Sequence, residues 1–395
     1  MRALCLALGE PQREFRSLHV VGTNGKSSVA TMAAALLDEA GMLVGACVSP
    51  HVWRWSERTR IGRSEIGTTA FASAAESVAG AVQKVETTFA EGERITQFEA
   101  AIATSFVAFA ESGVEVAVVE AGLGGRLDAT NVIPSEATAL TSVGLDHVEW
   151  LGRTELEIAT EKLAVLRRGT ILVLGAVSEP VERLALETAA KQEAHVVRPA
   201  SIDPDLTPAG LPPYLERNAA VAVAVAEIAA GPLEPEAVRS GIAAAALPGR
   251  AEAIPGDPPL LADAAHNEQG ALALAEALPA IACGRPVIAC LSVLADKDLS
   301  AIARALAPAL DHAVCTAADP GPAMGRPGAK AAGPTELARA LEAAGVETTI
   351  VPEPAEAIAR VLALAGERSG VALCAGSHYL LRYAWTAKRA QSSSR

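Results

Sequence analysis

Short apolar runs alternating with longer helical patterns predict an α/β chain of mostly parallel sheets, arranged as two successive domains. The first observation is the alternation itself. Strand-like runs at Leu18–Val21, Val44–Val48, Val114–Val119, Ala137–Val143, Thr170–Leu174 and His195–Arg198 alternate with helical patterns. Those patterns are Val29–Ala40, Thr69–Glu86, Phe98–Ser112, Glu155–Leu166, Pro180–Glu193 and Arg217–Ala229. Such alternation places helices on both faces of a parallel sheet. The second observation is a break at Leu247-Pro248-Gly249-Arg250, with Pro255-Gly256-Asp257-Pro258-Pro259 soon after. A second α/β series then follows: Leu260–Ala262, Gln269–Leu278, Pro286–Ser292, Leu299–Leu306 and on to Val371–Cys374. The expected architecture is a large P-loop-type central-sheet domain over 1–250 and a smaller Rossmann-like α/β domain over 251–395. The third observation is Val20-Val21-Gly22-Thr23-Asn24-Gly25-Lys26-Ser27-Ser28, where a strand enters a glycine-bounded loop and a helix leaves it.

That loop has the form of a phosphate-binding turn. Backbone N–H groups and a helix N-terminus would face a polyphosphate, and Lys26 would reach its terminal groups. Three positions separate Gly22 from Lys26, fewer than the five of the commonest Walker A loop. The bland alternative is a glycine and serine that only cap a helix. The preceding strand favours the nucleotide reading. In open α/β sheets ligands collect at the carboxyl ends of strands, where Gly22, Ser49, Glu120 and Asp146 are all expected.

Composition sets further limits. Half of the 395 residues are apolar and a fifth charged, so the chain is no disordered segment, and its length suits more than one core. With aromatics at 3%, those cores must be built from Ala, Val and Leu. A net charge of −13 argues against a nucleic-acid surface, which needs Lys and Arg in excess. The six cysteines (Cys5, Cys47, Cys283, Cys290, Cys315, Cys374) have no CxxC spacing and read as reduced, mostly buried thiols. No apolar run is long enough for a membrane span and no signal peptide opens the chain, so a cytoplasmic protein is expected. Asp319–Gly328, rich in Pro and Gly, reads as a loop, and Gln391–Arg395 as a frayed polar tail.

Five further segments carry chemistry: Ser49-Pro50-His51; Glu120-Ala121-Gly122-Leu123-Gly124-Gly125-Arg126-Leu127-Asp128-Ala129-Thr130-Asn131; Asp146-His147; Glu161-Lys162; and Asp263-Ala264-Ala265-His266-Asn267. With the phosphate loop and Leu247–Arg250, they resemble the folylpolyglutamate synthase/dihydrofolate synthase family of the Mur ligase superfamily. The resemblance runs from about Leu18 to Tyr379, and the GLGGRLDATN stretch is its most specific piece.

The resemblance implies an ATP-dependent ligase that joins L-glutamate to dihydropteroate or a reduced folate through an acyl phosphate. It implies an ATP-binding Mur ligase-type domain followed by a C-terminal glutamate-ligase domain. By similarity, Gly22, Thr23, Asn24, Gly25, Lys26, Ser27, Ser28, Asn218, Arg250 and Asp263 would contact ATP. Ser49, Glu120, His147 and Lys162 would hold Mg²⁺, two ions in all, with His147 the less usual ligand type for this metal. Lys162 would be carboxylated to a carbamate; read alone, Glu161-Lys162 is an ordinary surface helix pair. Lys26, Glu120, His147, Lys162 and His266 would form the catalytic set, and Phe98, Arg126 and Ser377 would touch the folate or glutamate. Asn218 and Ser377 each have a plainer reading as helix caps. Arg58 matches a family arginine near the nucleotide, and Trp53 and Trp55 are equally well read as surface packing. The partners implied are small molecules, with no nucleic acid or membrane, and the chain is expected to be a monomer.

The chain departs from the family pattern in four places. Ser27 replaces a usual glycine, Leu163-Ala164 replaces Ala-Gly after the lysine, and Glu268 replaces proline after His-Asn. Fewer residues precede Gly22 than is usual, and in the family the longer segment helps bind the pterin end. A different Mur-type ligase would share the phosphate loop without needing GLGGRLDATN. A non-catalytic nucleotide-binding relative would need no Lys26, Glu120, His147, Lys162 and Asp263 together.

Overall fold

A computed structural model describes residues 1–320 and 328–393; residues 321–327 of the expected Asp319–Gly328 loop and the last two of the expected tail lie outside it. The chain divides into two compact units, Met1–Gly144 with Val148–Ala246, and Leu145–His147 with Leu247–Arg395.

In the first unit the strands are β1 (Arg16–Val21), β2 (Val44–Cys47), β3 (Thr59–Ile61), β4 (Ser64–Glu65), β5 (Val116–Glu120), β6 (Ala137–Leu140), β7 (Ile171–Leu174) and β8 (His195–Val197). They form one sheet in the order β4-β3-β2-β5-β1-β6-β7-β8. Pairing is parallel from β2 through β8, and β3 and β4 add an antiparallel hairpin at one edge. That hairpin was not anticipated; its strands are short and mostly polar, with Thr59, Arg60, Ser64 and Glu65, so no apolar run marks them. β1 lies between β5 and β6, which puts the loop after it at a crevice between strand ends.

The second unit contains β9 (Glu252–Ile254), β10 (Leu260–Ala262), β11 (Val287–Leu291), β12 (His312–Cys315), β13 (Thr348–Ile350) and β14 (Val371–Ala375). Their order is β13-β12-β11-β14-β10-β9, parallel apart from the β9–β10 pair. All six cysteines are free, five of them buried and Cys283 exposed.

Small residues make the packing close. The helix Lys26–Glu39 packs against the helices Pro213–Ala230 and Pro235–Ala244. A Cβ on Gly241 would lie 2.8 Å from Leu36 Cδ2, so glycine is what lets these helices approach. Three of the six phenylalanines gather in one cluster, with Phe15 5.7 Å from Phe109 and 6.0 Å from Phe106 between ring centroids.

Several element ends differ from expectation for identifiable reasons. The helix expected from Arg217 starts at Pro213, where a proline in the first turn forfeits no helical hydrogen bond. Asn218 therefore sits inside the helix and is not its cap. The helix expected through Leu166 ends at Leu163 and tightens into a turn closed by Leu166 N–H to Leu163 O. The strand expected through Val143 stops at Leu140, because Thr141 and Ser142 turn their hydroxyls to Asn24. The last helix runs from His378 to Ser393, through most of the stretch expected to fray. No described helix is long and apolar enough to cross a membrane.

His19 on β1 is 1% exposed, and burial, helped by the charge of Arg167, pushes its pKa from 6.5 down to about 3. An unfolded imidazole takes up a proton near pH 6.5, whereas the folded one does not until about pH 3. Stability from this group is therefore full above pH 6.5 and declines as pH falls toward 3, by up to about 1.4 kcal/mol per unit. Urea unfolding of His19→Phe should show a shallower loss across that window than the parent; equal slopes would place the neutral state of His19 in doubt.

Candidate active site

The phosphate loop leaves β1 at Val21 and ends where the helix Lys26–Glu39 begins. Two close approaches dictate its glycines. A Cβ on Gly22 would fall 1.9 Å from Thr141 Oγ1, and one on Gly25, which has φ +84°, 2.4 Å from Asn218 Oδ1. Thr23 Oγ1 donates to Gly144 O at 3.1 Å, and Asn24 N–H donates to Ser142 Oγ at 3.0 Å. Lys26 Nζ lies over the loop, donating to the carbonyls of Gly22 (3.1 Å) and Thr23 (3.0 Å).

Glu120, the last residue of β5, is 2% exposed. Its Oε1 accepts from Ser27 Oγ at 2.9 Å and its Oε2 from Ser49 N–H at 2.8 Å. The carboxylate at the end of β5 thereby ties together the start of the helix Lys26–Glu39 and the segment just after β2. Ser27, next to the loop lysine, supplies one of these ties. Ser28 is fully buried and its hydroxyl has no hydrogen-bond partner. Buried carboxylate and hydroxyl oxygens are the donor types that Mg²⁺ prefers, so these residues fit the metal.

Lys162 lies in the last turn of the helix Glu155–Leu163. It is 3% exposed, and its Nζ donates to Gly22 O at 2.8 Å. Burial rules out the ordinary surface pair. Glu161 pairs instead with Arg126, at 3.1 Å, where half of the arginine side chain remains exposed.

The GLGGRLDATN segment packs against this helix. A Cβ on Gly125 would lie 2.6 Å from Glu161 O and 2.8 Å from Lys162 O, and one on Gly122 would lie 2.3 Å from the Phe98 ring. Phe98 stands 6.0 Å from the Arg58 guanidinium, which also lies over Trp55 at 4.8 Å and donates to His51 Nδ1 at 2.8 Å. Trp53 is 45% exposed. Glu99 closes a capping box with Thr96. A cavity of about 510 Å³ in the first unit is lined by Leu174, Ala176, Val177, Arg198 and Arg217, the last adjoining Asn218 in sequence.

The other expected residues belong to the second unit. Asp146 and His147 do not end a strand; they lie beyond β6, in the short segment grouped with this unit. Asp146 pairs with Lys297 and accepts from Asn267 Nδ2 at 2.9 Å, and His266 Nε2 lies 3.5 Å from its Oδ2. Burial alone would raise its pKa, but the His266 hydrogen bond and the charges of His266, His147 and Lys297 hold it well below the carboxylate range. His147 has φ +49° and its N–H donates to Asp146 Oδ1 at 2.8 Å. Asp263, 4% exposed, accepts the N–H groups of Ala251 and Ala265, both at 2.8 Å. That grip fixes the turn carrying Arg250, whose Nη1 donates to Gly249 O at 2.9 Å. His266 lies in the loop before the helix Glu268–Ala282, which Asn267 caps through Gly270 N–H. Ser377 is buried and accepts from Tyr379 N–H at 3.2 Å, as a helix-start residue does.

Lys297 was missed. Its signal was a lysine between two aspartates, Asp296-Lys297-Asp298, soon after an apolar strand. Its side chain is 5% exposed. Among the described residues no group of three or more His, Cys, Asp or Glu is placed to hold a metal; the expected ligand set contains only two residues of those types.

The family described as Mur ligase, glutamate ligase domain, matches residues 249–378. The dihydrofolate synthase/folylpolyglutamate synthase of Mycobacterium tuberculosis is 34% identical over 353 residues, 80% of this chain and 72% of that protein. Crystal structures of the Mycobacterium tuberculosis folylpolyglutamate synthase, complexed with ADP and AMPPCP, superpose with TM-score 0.90 at 31% identity, covering 98% of this chain and 94% of theirs. The bifunctional folylpolyglutamate synthase/dihydrofolate synthase of Yersinia pestis, complexed with AMPPNP and a Mn ion, superposes with TM-score 0.81 at 27% identity, covering 97% and 91%. At this identity and coverage the glycine-fitted loop and the buried Glu120 and Lys162 have a lineage: the chain belongs to the folylpolyglutamate synthase/dihydrofolate synthase family.

Proposed function

We propose that this chain is an ATP-dependent ligase that forms an amide between L-glutamate and a carboxylate of dihydropteroate or tetrahydrofolate. The observation that carries this is the convergence of Lys26 and Lys162 on Gly22, beside a Glu120 carboxylate fixed by Ser27 and Ser49. A carboxylate is a poor acyl donor. Its oxygen attacks the γ-phosphorus of ATP, ADP leaves, and the acyl phosphate is then attacked by the amine of glutamate. The amide forms as phosphate departs with the C–O bond electrons and the amine loses its proton.

Each step needs placement and charge stabilisation more than covalent help from the protein. The loop N–H groups and Lys26 would bind the phosphates. Asn218 would contact the adenine side, next to the cavity that Arg217 lines. Arg250 and Asp263 would also contact ATP, and His266 and Ser377 would serve glutamate. Phe98 and Arg126 would meet the pteridine-bearing substrate. Ser49, Glu120, His147 and a carboxylated Lys162 would hold Mg²⁺, two ions in this reading. A metal held there would supply positive charge to offset that on the transferring phosphoryl group. The first unit is then the ATP-binding domain and the second the glutamate-ligase domain, in a cytoplasmic monomer with no nucleic-acid or membrane partner.

Two ammonium groups directed at one carbonyl repel each other, and the buried one is poorly solvated. Loss of one proton from the Lys162 ammonium, addition of CO₂ to the neutral amine and loss of a second proton to solvent would remove that repulsion. The resulting carbamate keeps one N–H for Gly22 O and brings two anionic oxygens.

Purified protein supplied with ATP, Mg²⁺, L-glutamate and dihydropteroate or a reduced folate should release ADP and phosphate in step with amide formation. Release of AMP and pyrophosphate would reject the proposal. Lys162→Arg keeps a cation of similar reach but cannot form a carbamate. Its kcat should fall by ~10²–10³, the loss typical of a transition-state charge stabiliser. Turnover equal to the parent would show that a simple cation suffices there.

A further inference from the structure

His19 lies in the core of β1 and has no role assigned above, yet a chain of hydrogen bonds connects it to the segment 122–131. Its Nε2 is 2.7 Å from Thr130 Oγ1, which is 2.5 Å from Asp128 Oδ1. Asp128 also accepts from Thr130 N–H at 2.9 Å and from Leu123 N–H at 2.8 Å. The direction of the chain follows from valence. The Thr130 hydroxyl gives its single proton to the carboxylate, so it accepts from His19 Nε2–H. His19 Nδ1 is then left without a partner in the core, as observed. A buried imidazole with one orphaned nitrogen costs stability relative to an apolar side chain unless its other nitrogen is needed. Here that nitrogen holds the Thr130 hydroxyl.

What Thr130 and Asp128 hold is the segment 122–131, and this segment is stapled to the helix that carries Lys162. Arg126 N–H donates to Glu161 O at 3.0 Å, and Asn131 Nδ2 donates to Arg126 O at 2.8 Å. Past the helix end, Arg167 donates to Asn131 O at 2.6 Å and to Asn131 Oδ1 at 2.8 Å. Gly125 lets the segment lie directly on the Glu161 and Lys162 carbonyls. The segment and helix are thus tied together, and His19 ties the segment to β1, three residues before Gly22.

We infer that His19 is a positioning residue, acting through Thr130 and Asp128 to hold segment 122–131 and, with it, Lys162 against the Gly22 carbonyl. The inference deepens the ligase reading and rests on it for the catalytic consequence, though the mechanical one stands apart.

The test compares the parent with His19→Phe, Thr130→Val and His19→Gln, which retains an N–H donor. Amide hydrogen exchange followed by mass spectrometry reports on the segment whether or not the protein is a ligase. In His19→Phe and Thr130→Val the amides of 122–131 should exchange about tenfold faster, the scale of one net hydrogen bond. Those of β2 should be unchanged. In the ligation assay both variants should lose about tenfold or more in kcat, with KM for ATP within about threefold. His19→Gln should recover most of the loss, and the His19→Phe/Thr130→Val double variant should be no worse than either single one. Unchanged exchange in Thr130→Val would overturn the inference even if His19→Phe failed to fold. So would a loss confined to KM for ATP, additive losses, or a His19→Gln variant as impaired as His19→Phe. A parent that exchanges as expected but forms no amide would instead sink the ligase reading alone.

Discussion

Two lysines share one acceptor: Lys26 and Lys162 both donate to the carbonyl of Gly22. Much of the first unit is arranged to make that possible. Lys26 reaches it from the turn beginning its own helix, four residues on. Lys162 comes from a helix more than a hundred residues later and must be brought in by packing. The carbonyl is accessible to both because Gly22 has no Cβ and can press against Thr141. Lys26 brings a positive charge suited to a polyphosphate, while the buried Lys162 beside it is the group that the proposed carbamate would turn into an anion.

The GLGGRLDATN segment owes its specificity to packing as much as to chemistry. Gly122 makes room for Phe98, Gly125 for the carbonyls of Glu161 and Lys162, and Asp128 gathers Leu123 and Thr130. Burial raises the Asp128 pKa, and its hydrogen bonds from Thr130, Leu123 and Gly122 oppose that rise. Any side chain at Gly125 would lever the Lys162 helix away. Ser27 makes a complementary point: next to the loop lysine, it adds a hydroxyl tie between the loop and Glu120.

Much of this was legible in the sequence because it is local. Apolar runs located β1, β2, β5 and β10 to within a residue or two, and the phosphate loop was evident from Gly22, Gly25 and Lys26. What could not be read depends on distant partners. Nothing near Lys162 announces that it is buried, since Glu161 beside it pairs at the surface. Asp146 was expected at a strand end, but its partners are Lys297, Asn267 and His266, far along the chain. His19 reads as one more residue of an apolar strand until Thr130 is placed beside it. Strand and helix ends slipped where a side chain left the regular pattern to serve the loop, as Thr141 and Ser142 do.

If Lys26, Lys162 and Glu120 gather around a phosphoryl group on its way to a carboxylate, the fate of that carboxylate's oxygen reveals it most directly. With ¹⁸O in both carboxylate oxygens of the dihydropteroate substrate, the acyl phosphate carries one label in its C–O–P bridge. Attack by glutamate then expels it with phosphate. Mass spectrometry of the released phosphate should find one ¹⁸O per amide formed. Unlabelled phosphate accompanying amide formation would mean that ATP is cleaved by water and that no acyl phosphate lies on the path.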